Sequence, residues 1–250
     1  MPTPIIVFIV AHWYLAAFTQ TVFLHRYGSH QMFQMSAFWE RAFYVLTFLT
    51  QGASYLNPRA YALMHRMHHA YSDTLKDPHS PKFYKSPIAM MKTTLDVYLG
   101  LYFKKIQVDA SLEGGYPEWK WFDSWADSLW LRVAWSFAYL AFYMSFASAW
   151  WQYLFVPLHI VMGPVHGAIV NWCGHKYGYT NFDNQDQSKN TFFADILTMG
   201  ELMQNNHHKD THKVNFASRW FEWDPTYPLL QALAALKIIH WSDKRAESVQ

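Results

Sequence analysis

The distribution of charge along the chain constrains the fold more than any other feature. The 20 basic and 18 acidic side chains lie either in residues 26–132 or from residue 176 onward, so residues 1–25 and 133–175 carry no formal charge. A helix rises about 1.5 Å per residue, and the hydrocarbon layer of a membrane is about 30 Å thick. The first uncharged stretch can therefore cross a membrane once, over residues 4–24, and the second can cross it twice.

The basic side chains indicate which side of the membrane each charged block occupies. Every Lys and Arg lies in these two blocks, and cytoplasmic segments of membrane proteins are enriched in both residues. We expect both blocks in the cytoplasm, joined by a hairpin over 129–173 that turns near 145–149. A further apolar stretch, 42–58, is too short to span comfortably and is interpreted as a re-entrant or interfacial helix. The sequence thus predicts an all-α integral membrane protein with about three transmembrane helices and a cytoplasmic helical cap.

Composition narrows the class of protein further. Hydrophobic residues make up 52% of the chain and charged residues only 15%, which is low for a soluble protein. The net charge of +2 is too small to indicate a nucleic-acid partner. The one cysteine, Cys173, excludes an intramolecular disulfide and a thiolate metal cluster. Because no stretch has the composition of a flexible linker, residues 1–250 are predicted to form a single domain.

Local patterns predict several more elements. Apolar residues at helical spacing indicate a helix over 85–106, either lying on the membrane surface or packed within the cap. Further helices are predicted over 192–208 and 229–240, and a polar loop over 178–190. Gly163 and Pro164 should kink the last crossing, because proline removes a backbone hydrogen bond.

Eight of the fourteen histidines fall into compact groups beside the ends of apolar segments, on the side assigned to the cytoplasm. Within the HxxHH sequence, positions i, i+3 and i+4 share one helix face. Neutral imidazole is the commonest metal ligand in proteins. Several such groups from separate segments could therefore enclose two metal ions. The eight are His25, His30, His65, His68, His69, His175, His207 and His208.

Acidic residues near these groups could hold the distal ring N–H of the histidines and fix their orientation. The candidates for this role are Asp73, Asp77, Asp195 and Glu201. The other six histidines are expected to be packed or hydrogen-bonded residues rather than ligands: His12, His79, His159, His166, His212 and His240. None of the pairs forms the HExxH motif of a zinc protease.

The motifs HRYGSH (25–30), HRMHH (65–69) and QNNHH (204–208) resemble the three histidine boxes of the membrane fatty acid desaturase superfamily. Residues 71–81, 171–178 and 188–201 resemble the acyl-CoA, delta-9-type branch, so the resemblance covers about residues 10–215. It implies two iron ions held by the eight histidines at a cytoplasmic cap, with Asn171 contacting a metal through water. It also implies a bent hydrophobic tunnel for the acyl chain.

The chain departs from that pattern in three places. The third box begins with Gln204, where most acyl-CoA desaturases have histidine, and metal binding would then use the amide oxygen. Only one crossing precedes the first box. Ala62, Leu63 and Met64 replace charged residues that often precede the second box, which weakens any inference about a head group.

The expected function is O2-dependent desaturation of an acyl-CoA or acyl-lipid in a bacterial-type cytoplasmic membrane. Two electrons would come from an external donor such as a ferredoxin, a rubredoxin or a cytochrome b5-like carrier. Two alternatives stay open. The same kind of site could hydroxylate a fatty acid, alkane or carotenoid, which an alcohol product would show. The chain could instead be a non-catalytic metal or haem carrier, which a metal assay would show.

Overall fold

Residues 1–242 are described by a computed structural model, and most of them are helical. The predicted helical class is therefore confirmed, although residues 243–250 of the predicted domain lie outside the described residues. The α-helices are α1 (Thr3–Thr19), α2 (Ala37–Gln51), α3 (Pro58–Tyr71), α4 (Pro87–Tyr102), α5 (Lys120–Ala126), α6 (Leu129–Phe146), α7 (Val156–Ile160), α8 (Met162–Gly174), α9 (Gln204–Lys209) and α10 (Thr226–Ala235). Short 3-10 helices occupy Gly52–Ser54, Pro81–Phe83, Ala110–Leu112 and Trp150–Phe155. Two antiparallel strands, β1 (Phe33–Met35) and β2 (Ile239–Trp241), are an exception to the all-α prediction.

The first helix is longer than the sequence predicted. It runs on from α1 as a ten-residue π-helix, Gln20–Ser29, so that one helix extends from Thr3 to Ser29. Among residues 1–242, this helix alone is straight, long and apolar enough to cross a membrane. The bent pair Trp150–Ile160 and Met162–Gly174 qualifies only when it is counted as one span. The number of three crossings therefore stays a prediction.

The bend in this pair lies just before the predicted kink. Its two parts meet at an angle of 74°, at Val161 rather than at Gly163 and Pro164. Proline clashes with the carbonyl four residues earlier but is tolerated in the first turn of a helix. Because α8 begins at Met162, Pro164 lies in that first turn, and the helix breaks ahead of it.

The apolar stretch over 42–58 contains a break that other segments stabilise. Helix α2 ends at Gln51 because Gly52 has a positive φ of 52°. The carbonyl groups of Ala53 and Tyr55, freed by the break, accept hydrogen bonds of 2.9 and 2.8 Å from the guanidinium of Arg132. Backbone groups buried in an apolar setting need such partners, so the break is part of the fold.

Two helix predictions near the C-terminus were correct only in part. Over 192–208, only Gln204–Lys209 is helical, since Met199 and Gly200 have positive φ angles that interrupt a helix. The helix predicted over 229–240 ends at Ala235, and Lys237 turns the chain with a φ of 57°. Strand β2 then pairs with β1, which follows the π-helix. This pairing fixes the C-terminal segment beside the first histidine box.

Candidate metal centre

The π-helix brings the first two histidines together. His25 and His30 are five residues apart, which would point them to different sides of an α-helix. In a π-helix each N–H bonds to the carbonyl five residues earlier, and the N–H of His30 bonds to the carbonyl of His25 at 3.2 Å. The two rings therefore lie on one side, with their centroids 4.9 Å apart.

Helix α3 supplies three histidines and is fixed at both ends. Its first turn is capped by Asn57, whose side chain accepts a hydrogen bond from the N–H of Ala60 at 3.1 Å. Near its middle, Arg66 donates to the carbonyl groups of Ser29 and Gly28 at 2.8 and 3.1 Å. These carbonyls belong to the last turn of the π-helix, where no helical partner remains. Arg66 thus holds α3 against the first histidine box.

The histidines form two adjacent groups in which the potential ligand atoms lie within 4.8 Å of one another. The five-histidine group consists of His25, His30, His65, His69 and His207. The three-histidine group consists of His68, His175 and His208. All eight predicted histidines are therefore brought together. Histidines that are neighbours in the sequence belong to different groups. His68 lies in a different group from His65 and His69, and His207 lies in a different group from His208.

Carboxylates orient all three rings of the three-histidine group. The Nδ1 atom of His68 lies 2.9 Å from Asp77, and that of His175 lies 3.1 Å from Asp73. The Nδ1 atom of His208 lies 2.7 Å from Asp186. The contacts of Asp73 and Asp77 agree with the roles predicted for them. The sequence analysis missed Asp186, which lies in the polar loop with no local motif to mark it.

In the five-histidine group, Glu201 contacts Nδ1 of His25 at 2.6 Å. Glu201 also accepts hydrogen bonds from Thr21 and from Arg26, the latter at 3.0 Å. Arg26 is completely buried, and its other terminal nitrogen donates to Asp224 at 2.9 Å. A buried guanidinium needs such carboxylate partners. The sequence analysis predicted Glu201 but missed the Arg26 and Asp224 pair behind it.

Asp195 does not have the role that the sequence analysis gave it. Its carboxylate accepts hydrogen bonds from the backbone N–H groups of Thr198, Gly200 and Leu202 at 3.0 to 3.1 Å. It therefore orders the loop before α9 and contacts no histidine ring among the described residues. A short acidic side chain readily satisfies nearby backbone donors in this way.

Burial favours the neutral form of six of the eight histidines. It lowers the pKa of His30, His65, His68, His69 and His207 well below 6.5. Burial also lowers the pKa of His208, although the hydrogen bond with Asp186 opposes this shift. For Asp73 and Asp186, burial favours the protonated acid, but the histidine contacts outweigh it and lower both pKa values. Neutral imidazole beside ionised carboxylate is the state required of a metal ligand.

The ring nitrogens fit a bound cation. His68 and His208 each direct Nδ1–H at a carboxylate, which leaves a lone pair on each Nε2 atom. These two Nε2 atoms are 3.2 Å apart. In the other group, the Nε2 atoms of His25 and His207 are 3.0 Å apart. The facing lone pairs of His68 and His208 repel at 3.2 Å unless a cation is shared, and imidazole suits iron, copper or zinc.

The two uncertain ligands lie nearby without joining either group. The amide nitrogen of Gln204 donates to the carbonyl of Glu201 at 2.7 Å, and its buried oxygen has no hydrogen-bond partner within residues 1–242. Asn171 donates to the carbonyl of Gly167 at 2.9 Å. Neither residue belongs to the two histidine groups. Ligation by Gln204 and water-mediated ligation by Asn171 therefore stay predictions.

The histidines not predicted as ligands differ in their surroundings. His12 and His159 share a hydrogen bond of 2.6 Å, and His159 also bonds to Tyr143 at 3.0 Å. His79 is less isolated than expected, since its buried ring lies 4.5 Å from that of His68. Together, His68, Asp77 and His79 form a third cluster of potential metal ligands. His79 is thus a neighbour of the three-histidine group that the sequence analysis did not anticipate.

A cavity of about 860 Å³ begins beside the histidines and extends away from them. One face of α8 lines it, because Gly167, Val170 and Asn171 recur at helical spacing. Helix α4 supplies another face of the wall, which is largely apolar. The residues at the histidine end are His65, His79, Glu201 and Gln204, and those on α4 include Met91, Leu95 and Leu99. An elongated apolar molecule would therefore have one part beside the histidine groups.

Comparison with known proteins relates the chain to fatty acid desaturases. Residues 2–235 match the fatty acid desaturase family. An sn-1 stearoyl-lipid 9-desaturase of Synechocystis sp. is 29% identical over 226 residues, which cover 86% of this chain and 64% of that protein. An sn-2 palmitoyl-lipid 9-desaturase of Nostoc sp. is 28% identical, with 90% and 76% covered. An acyl-CoA 5-desaturase of Anemone leveillei is 25% identical, with 88% and 65% covered.

Proposed function

Because the chain belongs to the fatty acid desaturase family, a family of oxidoreductases of lipid metabolism, we propose that it introduces a double bond into a fatty acyl chain. The observation that carries the proposal is the position of the two histidine groups at one end of the apolar cavity. A saturated CH2–CH2 pair offers no group to an acid, a base or a nucleophile. Its oxidation needs a strong oxidant in a dry, shaped site.

The metal ions of the proposal are two irons, one in each histidine group. The fit of the facing lone pairs supports this assignment, as does the family. When bound, the irons supply the oxidising power of O2 for removing two hydrogen atoms from the acyl chain. We further propose that Gln204 contributes its amide oxygen and that Asn171 contributes a water molecule.

The chain's own residues prepare the site and exclude water from it. Asp73, Asp77 and Asp186 hold Nδ1–H of their histidines, which keeps each Nε2 lone pair directed into the three-histidine group. The Arg26 network holds Glu201, and Glu201 holds the ring of His25. The apolar cavity orients the acyl chain and limits access of water to the histidine end.

The substrates of the relatives indicate the class of acyl donor. The relatives named above act, by their names, on acyl-lipids and on acyl-CoA. We propose that this chain uses one of these, together with O2, two protons and two electrons, and releases two water molecules per double bond. The electrons would come from an external ferredoxin, rubredoxin or cytochrome b5-like carrier.

The proposed setting is a bacterial cytoplasmic membrane with three crossings and with the histidine boxes on the cytoplasmic side. The helix Thr3–Ser29, which carries no charge before Arg26, and the bent pair that ends at Gly174 support two of the crossings. Helix α6 supports the third, since it presents exposed apolar side chains such as Phe137 and Met144 along its length. Two basic residues, Arg26 and Arg132, lie within these segments, each near the proposed cytoplasmic end of its helix. Every other Lys and Arg lies outside the segments, which supports the orientation.

Analysis of products and metal content tests the proposal. The chain is expressed in a host with a compatible electron donor, and host fatty acids are separated by gas chromatography, with the inactive variant His208→Ala as the control. We expect a new unsaturated acyl chain and two irons per chain without haem absorbance. An alcohol product would favour the hydroxylase, and haem bands or no product from any acyl-CoA or phospholipid would contradict the proposal.

Glycine 167 offers a test of the cavity itself. A Cβ atom built on Gly167 meets no other atom within 4 Å, and the residue lines the cavity. Gly167→Leu should therefore fold, because leucine favours a helix more than glycine does. It should also shorten the space for the acyl chain and shift products toward shorter chains, with Gly167→Ala intermediate. An unchanged product profile in both variants would mean that the acyl chain lies elsewhere.

A further inference from the structure

The loop that precedes α9 presents an exposed apolar surface. We define the aromatic patch as Phe192, Phe193, Ile196, Leu197, Trp220 and Trp223. Trp220 is 95% exposed, Phe193 61% and Ile196 56%. The two segments that form the patch are joined by a hydrogen bond of 2.7 Å from the N–H of Trp223 to the carbonyl of Phe193. Large contiguous apolar surfaces of this kind mark interaction sites.

The patch is continuous with the exposed face of α1. The indole N–H of Trp13 donates to the carbonyl of Leu197 at 2.8 Å, and the neighbouring side chains Val10 and Tyr14 are exposed. Four residues beyond Leu197, Glu201 bonds to Thr21. The loop therefore runs beside the first helix from Trp13 in α1 to Thr21 at the start of the π-helix. This is a distance of about 12 Å along the helix axis at 1.5 Å per residue.

The polar groups of this loop are turned inward. The one charged residue over 190–200 is Asp195, which is fully buried and bonded to backbone N–H groups of the loop itself. The N–H of Thr191 also bonds to the carbonyl of Leu202 at 2.9 Å. Hydrocarbon admits irregular backbone only where the protein satisfies its polar groups. A loop in water needs no such arrangement.

The edge of the patch has the composition of a membrane interface. Arg219 is exposed and directly precedes Trp220. Tyr177 lies beside the patch, since its carbonyl accepts a hydrogen bond from Thr191. Next to it in the chain, the ammonium of Lys176 lies 3.8 Å from the ring centroid of Trp172. Tryptophan and tyrosine are enriched at the head-group level of membranes, with basic side chains beside them.

We propose that the aromatic patch inserts into the lipid leaflet that surrounds the C-terminal half of α1, as a membrane anchor that does not cross the bilayer and that adds to the proposed crossings. This inference rests on the proposed crossing by α1. It has a structural consequence, because Thr198 and Glu201, which follow the patch, line the cavity. The wall of the cavity at its histidine end is then attached to the membrane.

Spin labels on single cysteines test this anchor. In a Cys173→Ser background, cysteines replace Phe193 and Trp220 in the patch, Val10 on α1 and Asp183 in the polar loop. The variants are placed in nanodiscs of phosphatidylcholine and phosphatidylglycerol. Relaxation by O2, which concentrates in lipid, is compared with relaxation by a water-soluble nickel chelate. We expect the nickel chelate to relax the labels at 193 and 220 as weakly as it relaxes the label at 10. The label at 183 should be relaxed strongly.

The control at position 10 separates two kinds of failure. If the label at 10 is in lipid but those at 193 and 220 are in water, the anchor is wrong and the crossing by α1 stands. If the label at 10 is also in water, the crossing itself is wrong. Labels at 193 and 220 that are shielded from both reagents would indicate a second copy or a carrier protein on the patch, which also overturns the anchor.

Hydroxyl-radical footprinting of the unaltered chain provides a measurement that depends on no variant. The oxidation of Trp220 in nanodiscs is compared with that of the exposed His212 by mass spectrometry. A side chain that is 95% exposed in the isolated molecule should be oxidised readily in water. We expect loss of oxidation at Trp220 but not at His212. Strong oxidation of both would contradict insertion.

Discussion

The two histidine groups reach a metal-binding arrangement by different means. The five-histidine group has many donors, and within residues 1–242 one carboxylate, Glu201, contacts one of its rings. The three-histidine group has few donors, yet a carboxylate contacts every ring. A carboxylate on Nδ1 fixes the ring and raises the basicity of the opposite nitrogen. Orientation thus compensates for a small number of donors.

Removing one donor should give the largest difference between the groups. His208→Ala leaves two histidines in its group, and we expect loss of one iron per chain and of all desaturation. His69→Ala leaves four in the other group, and we expect both irons to be retained, with reduced turnover. Iron per chain, measured by mass spectrometry of the purified protein, checks this. Equal iron loss in both variants would show that the number of donors does not distinguish the groups.

Neutralising one carboxylate should have a smaller effect, again larger in the three-histidine group. Asp186→Asn keeps an acceptor for the ring N–H of His208 but removes the charge. Loss of such an outer contact weakens metal affinity by about 10 to 100-fold. Glu201→Gln should weaken affinity by less, because four other histidines share that metal. Competition with a chelator measures both affinities, and an equal or larger effect of Glu201→Gln would refute the comparison.

Acid should destabilise the metal-free protein, mainly through the five-histidine group. Burial lowers the pKa of four of its histidines, His30, His65, His69 and His207, so the unfolded chain binds more protons below pH 6.5. Stability is therefore present above pH 6.5 and is lost as pH falls toward the folded pKa values, by about 1.4 kcal/mol per pH unit for each histidine that stays neutral. Thermal unfolding between pH 7.5 and 5.5 should show this decline.

Single substitutions test which histidines cause the loss of stability at low pH. His65→Gln should reduce the slope of stability against pH by about one proton, since burial lowers the pKa of His65 well below 6.5. His208→Gln should reduce it by less, because Asp186 partly restores the pKa of His208. The reverse order would mean that the carboxylates do not moderate the effect of burial.

The smallest expected effect is that of Gln204→Ala. The buried amide oxygen of Gln204 has no partner within the described residues, so a metal or its water would satisfy it. We expect a small loss of iron and a few-fold loss of turnover, smaller than for any histidine, because an amide oxygen is a weaker ligand for iron than imidazole. Full iron content and turnover would make Gln204 a bystander.

The sequence predicted which histidines lie together better than how they divide into groups. Compact spacing beside apolar segments was sufficient to predict the eight that form the two groups. Their division between two groups depends on the direction of each side chain around α3 and α9, which the spacing alone does not determine. Asp186 lies 22 residues before His208 in the chain, and only the folded polar loop brings it to the ring.

The errors in the fold have three physical causes. The π-helix was missed because its hydrogen-bond pattern has no clear signature in the order of residues. The helix predicted over 192–208 failed because Asp195 satisfies backbone N–H groups that a helix would have used internally. The helix over 229–240 ends early, at Ala235, and long-range pairing of β2 with β1 outweighs local periodicity beyond it. A local side-chain contact thus ended one helix, and a tertiary contact ended the other.

If the helix from Thr3 to Ser29 crosses the membrane as proposed, it connects the first histidine box directly to the bilayer. A continuous helix of 27 residues can pass a change of tilt from its membrane part to its end. Helices respond to bilayer thickness by tilting. On the proposed topology, a thinner or thicker membrane would therefore move His25 and His30 relative to the histidines of α3. Lipid composition would then affect the positions of the histidines in the candidate metal centre as well as the supply of substrate.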